Sequence, residues 1–217
     1  MPKPPRAPGL PRLYAIVDAE LAAARGVAPD ALVATWLDAG VRLFQLRAKT
    51  LAEDDVQRLA ERLAVAAGAA DAIFVVNDRI EIANAVGAGV HLGQEDPRPR
   101  DARARLGAQA IIGWSTHNEA QMLAAADEPV DYLAIGPVFP TGSKARPDPV
   151  VGLAGVREAA RHARAAGRML VAIGGITLDR APAVIEAGAD AVAVISDLLN
   201  GDPAARCRQY LKALQTV

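Results

Sequence analysis

Leu43-Phe44-Gln45-Leu46-Arg47-Ala48-Lys49 alternates apolar and polar residues with the two-residue period of a β-strand. Gln45, Arg47 and Lys49 fall on one face, and Phe44, Leu46 and Ala48 on the other. Helix-like sequence flanks the stretch on both sides, so its apolar face is expected to lie under helices. The opposite face then turns an amide and two cations into an interior. Cations there need an anion, and none sits nearby in sequence, which points to an anionic ligand. A solvated edge strand is the plainer alternative.

Seven further apolar runs accompany this one, the full set being 13–17, 43–49, 73–77, 89–93, 110–115, 132–138, 169–176 and 191–196. Between them lie amphipathic, alanine-rich stretches at 29–39, 51–67, 79–86, 100–106, 118–126, 153–166, 179–187 and 203–214. Pro29 and Pro203 suit first helical turns, while Gly40, Gly68, Gly87, Gly107, Gly167 and Gly188 suit helix ends. Eight strand–helix units in order predict an α/β fold, a single-domain (β/α)8 TIM barrel over residues 13–217. A doubly wound open sheet shares the alternation, but it brings residues from many strand ends to one point less readily. Residues 1–12 read as a proline-rich, extended and poorly ordered tail.

A chain of 217 residues can bury a sizeable core, here aliphatic, since 52% of residues are hydrophobic and only 4% aromatic. A net charge of −1 leaves no electrostatic footprint for nucleic acid or an anionic membrane. No apolar stretch is long enough to span a membrane, and the start lacks a secretory h-region, so a cytoplasmic enzyme is expected. The lone Cys207 cannot form an internal disulfide, in keeping with a reducing compartment. Arg206 and Arg208 make a reactive thiol conceivable there; a helix residue without chemistry is the preferred reading.

Barrels of this kind carry their active sites at the C-terminal strand ends. Those ends hold Gln45, Arg47 and Lys49; Asn77-Asp78-Arg79; Gly93-Gln94-Glu95-Asp96; Ser115-Thr116-His117; Pro140-Thr141-Gly142-Ser143-Lys144; Gly174-Gly175-Ile176; and Ile195-Ser196. Three functions can be read from the set. Gly174-Gly175 lets backbone N–H groups approach a ligand just before a helix, and with Ser196 it resembles a phosphate site, though a tight turn alone would also need glycine. Asp78 and Asp96 follow adjacent strands, where two hard oxygens could share one Mg²⁺; Asp78 could instead be a helix N-cap. Arg47, Lys49 and Lys144, with hydroxyls from Ser115, Thr141 and Ser143, form a second anionic clamp suited to pyrophosphate. Two anion sites imply two phosphorylated ligands, or one long one.

His117 suits either a general base or a neighbour of the helix N-cap, the latter being preferred. His91 lies mid-strand as a hydrogen-bonded interior residue, and Trp114 should pack beneath the helices. Ser115 lacks the partners of a nucleophilic serine.

Taken in order, Gln45-Leu46-Arg47-Ala48-Lys49, Val76-Asn77-Asp78-Arg79, Val90-His91-Leu92-Gly93-Gln94-Glu95-Asp96, Gly136-Pro137-Val138-Phe139-Pro140-Thr141 with Ser143-Lys144, and Ala172-Ile173-Gly174-Gly175-Ile176 resemble thiamine-phosphate synthase. The resemblance runs from Leu13 to about Leu199. It implies a Mg²⁺-dependent transferase of thiamine biosynthesis that joins an aminopyrimidine-methyl pyrophosphate to a thiazole phosphate. Pyrophosphate leaves first, and the thiazole nitrogen captures the pyrimidine-methyl cation. By the same resemblance, Arg47, Lys49, Asn77, Ser115 and Lys144 hold pyrophosphate, and Asp78 and Asp96 hold Mg²⁺. Gln45 meets the aminopyrimidine, Thr141 and Ser143 the thiazole, and Gly175, Ile195 and Ser196 its phosphate. No general base is required, because the thiazole nitrogen has a free lone pair.

Ser143 stands where threonine is usual in the family, with the hydroxyl kept. An acidic residue that many relatives carry between Ala88 and Gly89 is missing, which shortens a loop on the opposite barrel face. The related thiazole tautomerases typically lack the acidic pair, and a non-catalytic phosphometabolite binder would not need a leaving-group site. Small-molecule partners are therefore expected, with a homo-oligomer left open.

Overall fold

The computed structural model describes residues 9–125, 127–142 and 148–215. Eight parallel strands close into a barrel in chain order: β1 (Leu13–Asp18), β2 (Leu43–Arg47), β3 (Ile73–Asn77), β4 (Gly89–Leu92), β5 (Ile112–Thr116), β6 (Tyr132–Ile135), β7 (Met169–Ile173) and β8 (Ala191–Val194). The seam is formed by β8 against β1, with Leu13 opposite Val192 and Ala15 opposite Val194. The (β/α)8 expectation holds, and the open sheet is excluded.

Helices cover the outside: α1 (Ala19–Ala24), α2 (Pro29–Asp38), α3 (Glu53–Ala69), α4 (Ile80–Val86), α5 (Pro99–Leu106), α6 (Glu119–Ala124), α7 (Gly152–Ala165), α8 (Ala181–Glu186) and α9 (Pro203–Gln215), with a 3₁₀ turn at Ser196–Leu199. Both α1 and the 3₁₀ turn went unforeseen. The final helix docks by burying Cys207, Tyr210 and Leu214.

Strand alternation sorts the core into two shells. Phe44, Leu46, Phe74, Val76 and Trp114 face the helices, and the Phe44 and Phe74 rings stack with centroids 4.9 Å apart across β2 and β3. Tyr14, Ile16, Leu43, Val75, Tyr132, Val171 and Ala193 fill the interior. Leu10 joins that inner shell, so the stretch expected to be a loose tail contributes at least one packed side chain; residues 1–8 lie outside the described residues.

Room for the large Tyr132 ring comes from Gly113. His91, Gly113 and Tyr132 are register partners across β4, β5 and β6. A Cβ on Gly113 would fall 2.0 Å from Tyr132 Cζ, so even alanine there would displace the ring. The missing side chain lets His91 and Tyr132 stack at 5.6 Å with 10° between their planes. Among the described residues, no helix is long and apolar enough to cross a membrane.

Candidate active site

A cavity of about 740 Å³ opens at the C-terminal strand ends. Its lining includes Gln45, Arg47, Lys49, Asn77, Asp78, Asp96, Ser115, Thr141, Gly175, Ile195 and Ser196. Every nominated site residue that the structure describes is thus gathered at one mouth. Ser143 and Lys144 lie outside the described residues.

The β2 cations have no anion nearby in sequence, but the fold supplies two carboxylates, so an external anion is not their only partner. Arg47 Nη1 is paired with Asp18 Oδ2, and Lys49 Nζ with Asp78 Oδ2. Adjacent strands supply both partners, and sequence distance hid them. Asp18 was missed outright. Its other oxygen accepts from Leu21 N at 2.9 Å, capping α1. An aspartate between an apolar run and a helical stretch is the signal that could have exposed it.

Asp78 is no helix cap. The N-cap of α4 is Arg79, without a side-chain bond, while Asp78 sits in the left-handed region at φ 63. Its N–H donates to His91 O at 2.9 Å, which fixes the turn leaving β3. Asp96 Oδ2 accepts from Gly93 N at 2.6 Å. Burial raises the Asp96 carboxyl above its ordinary value; the Gly93 N–H opposes this, and a hydrogen bond with and repulsion from Asp78 add to the rise. Two carboxylates this close, backed by Lys49, form a donor set that fits a hard divalent cation. Among the described residues no third acidic or imidazole ligand joins them, which suits an ion that keeps waters and substrate oxygens.

Asn77 is buried, and its Nδ2 has no hydrogen-bond partner among the described residues. A buried amide donor at a cavity wall is placed to meet an acceptor in the cavity. Gln45, 2% exposed, donates from Nε2 to Tyr14 Oη at 2.7 Å. Ser115 Oγ lies 2.8 Å from His91 Nε2.

At the far side, Gly174 and Gly175 have φ of 100 and 62. A Cβ would fall 2.6 Å from Pro137 Cα at the first and 2.4 Å from Pro140 O at the second. Glycine is therefore demanded by the turn itself, whatever the loop binds. The next helix starts only at Ala181, later than expected, so it does not follow the Gly174-Gly175 turn directly; Ile195 and Ser196, where the 3₁₀ turn begins, also line the cavity.

His117 follows the plainer expectation. It precedes the N-cap Asn118, its N–H donates to Gln121 Oε1 at 2.7 Å, and its Nδ1 lies 2.7 Å from Gly136 O. His91 is an interior, hydrogen-bonded residue, and Trp114 is buried against the helices.

Fold and site together define a (β/α)8 barrel whose mouth gathers cationic, acidic and amide side chains. A family model for thiamine monophosphate synthase matches residues 13–198. The chain is 42% identical to a thiamine-phosphate synthase of Koribacter versatilis, over 95% of this chain and 97% of that one. It is 40% identical to one from Haloarcula marismortui, covering 92% and 94%. Among solved structures, a thiamine phosphate pyrophosphorylase from Pyrococcus furiosus superimposes with TM-score 0.83 at 31% identity, covering 95% and 96%. The chain belongs to the thiamine-phosphate synthase family, transferases of thiamine biosynthesis.

Proposed function

We propose that the protein couples 4-amino-2-methyl-5-(diphosphooxymethyl)pyrimidine with 4-methyl-5-(2-phosphoethyl)thiazole to give thiamine phosphate and pyrophosphate; the carboxylated form of the thiazole would give the same products with loss of CO₂. The observation that carries this reading is the close pair Asp78 and Asp96 beside Lys49, in the same cavity as Arg47 and the unsatisfied Asn77 amide. Such a grouping suits a metal-complexed pyrophosphate better than a single phosphate.

In this reading the C–O bond to pyrophosphate breaks first, with both electrons leaving on oxygen. The thiazole nitrogen lone pair then bonds to the methylene carbon. Arg47, Lys49, Asn77, Ser115 and Lys144 stabilise the departing charge, which is where the barrier lies. Asp78 and Asp96 would hold Mg²⁺, which when bound supplies further neutralisation of the leaving group. Gln45 meets the aminopyrimidine, Thr141 and Ser143 the thiazole, and Gly175, Ile195 and Ser196 its phosphate. No side chain needs to accept a proton, so His117 is assigned none.

Purified protein given both substrates with Mg²⁺ should release thiamine phosphate and pyrophosphate in equal amounts. Binding of both substrates without product would contradict the reading and favour a phosphometabolite-binding protein.

A further inference from the structure

A continuous chain of hydrogen bonds crosses the barrel interior and joins Gln45 to Ser115, both in the cavity lining. Gln45 Nε2 lies 2.7 Å from Tyr14 Oη, which lies 3.0 Å from Tyr132 Oη. Tyr132 Oη is 2.9 Å from His91 Nδ1, and His91 Nε2 is 2.8 Å from Ser115 Oγ. Five different strands supply these groups. Both tyrosines are buried to 1% exposure or less, and the stack of His91 on Tyr132 in the space left by Gly113 holds the middle of the chain in place. Burial raises both phenols well above their ordinary pKa, so each keeps its single proton.

Proton counting leaves this chain two polarities. A phenol has one proton to give, and a neutral imidazole has one N–H, so with His91 in its neutral form every bond runs in the same direction. In the first polarity Gln45 donates to Tyr14, Tyr14 to Tyr132, and Tyr132 to His91 Nδ1. His91 Nε2–H then donates to Ser115 Oγ. The Ser115 proton is left for the cavity, and Gln45 presents its Oε1. In the second polarity Ser115 donates to His91, every bond reverses, Tyr14 donates to Gln45 Oε1, and Gln45 presents its NH₂.

We infer that this relay couples recognition of the two halves of one substrate. An anion at Ser115 requires a donor there and so selects the first polarity. Through His91, Tyr132 and Tyr14 that choice leaves the Gln45 carbonyl facing the pyrimidine, where it accepts from an exocyclic amino group. An oxo group at the same ring position would require the opposite polarity and would compete with the anion. Tyr14, Tyr132 and His91 are thus positioning residues that act through Gln45 and Ser115. The inference rests on the proposed placement of the pyrimidine at Gln45 and pyrophosphate at Ser115.

The test is calorimetric binding of 4-amino-5-hydroxymethyl-2-methylpyrimidine with and without Mg²⁺ pyrophosphate, repeated with its 4-oxo analogue. Wild-type protein should bind the amino compound at least about fivefold tighter when pyrophosphate is present, the lower end of ordinary coupling between sites, and should show no such gain for the oxo compound. Tyr132→Phe keeps the ring while cutting the chain, and Tyr14→Phe disconnects only Gln45. Both should bring the amino coupling close to one. Equal coupling for both pyrimidines in wild type, or undiminished coupling in the two variants, would overturn the relay. Wild-type protein that binds neither ligand would instead overturn the assignment of Gln45 and Ser115, and the relay with it.

Discussion

Arg47 at the end of β2 is ion-paired with Asp18 at the end of β1, and the same aspartate caps α1. One carboxylate therefore fixes the direction of a guanidinium at the cavity mouth and the start of the first helix. Asp18→Asn retains a good N-cap but removes the charge. The KM for pyrimidine pyrophosphate should rise about three- to tenfold, the scale of one partly buried ion pair, with thermal stability little changed. Unchanged steady-state kinetics in the folded variant would show that Arg47 needs no such anchor.

Asp78 carries both a charge and a left-handed backbone at φ 63. Asparagine tolerates that conformation and alanine strains it, so the two substitutions separate chemistry from fold. Asp78→Asn and Asp78→Ala should each lower kcat at least ~10²-fold, on the scale of lost electrostatic stabilisation. Circular dichroism should find both folded, with alanine melting lower. A near-wild-type rate in Asp78→Asn would remove the acidic pair from the mechanism.

Glu128 is 1% exposed and is bridged by Arg98 and Arg100. Burial alone would raise its pKa, but Arg100 and then Arg98 more than offset this and hold it below 4.5. A lowered folded-state pKa contributes stability that is present above the unfolded value and lost as pH falls through the folded one. Glu128→Gln should cost about 1–3 kcal/mol near neutrality, a range reduced because both arginines are more than half exposed. Urea melts should show wild type losing more stability than the variant between about pH 5 and pH 3. Parallel losses would mean the carboxylate does not contribute.

Cys207 is buried in α9, and burial pushes its thiol up to about 12. The thiol is therefore protonated and inaccessible, despite arginines on both sides in sequence. Native protein should resist alkylation that unfolded protein undergoes, and Cys207→Ser should leave turnover unchanged. A large rate loss in a folded serine variant would contradict this.

Strand alternation made most of the barrel legible in the sequence. The span 73–77 coincides with β3, and the face assignments of Gln45 and Phe44 hold because a two-residue period and helical flanks leave one arrangement. Strand ends were overrun instead: the stretch 43–49 stops as a strand at Arg47, and 169–176 stops at Ile173, since apolar loop residues continue the pattern beyond the ladder. Helix α1 escaped notice because six residues carry too little periodicity. Partners across strands were the least readable. Asp18 meets Arg47 because β1 pairs with β2, and Tyr14 meets Tyr132, over 118 residues of sequence, because the barrel closes.

Metal dependence tests the central claim most directly, because the acidic pair is assigned to a cation on the leaving pyrophosphate. Metal-stripped protein, supplied with both substrates, should release no more than a trace of pyrophosphate. Titrating in Mg²⁺ should restore its release along a saturating curve, matched by equal thiamine phosphate. Full turnover in excess chelator would contradict the account.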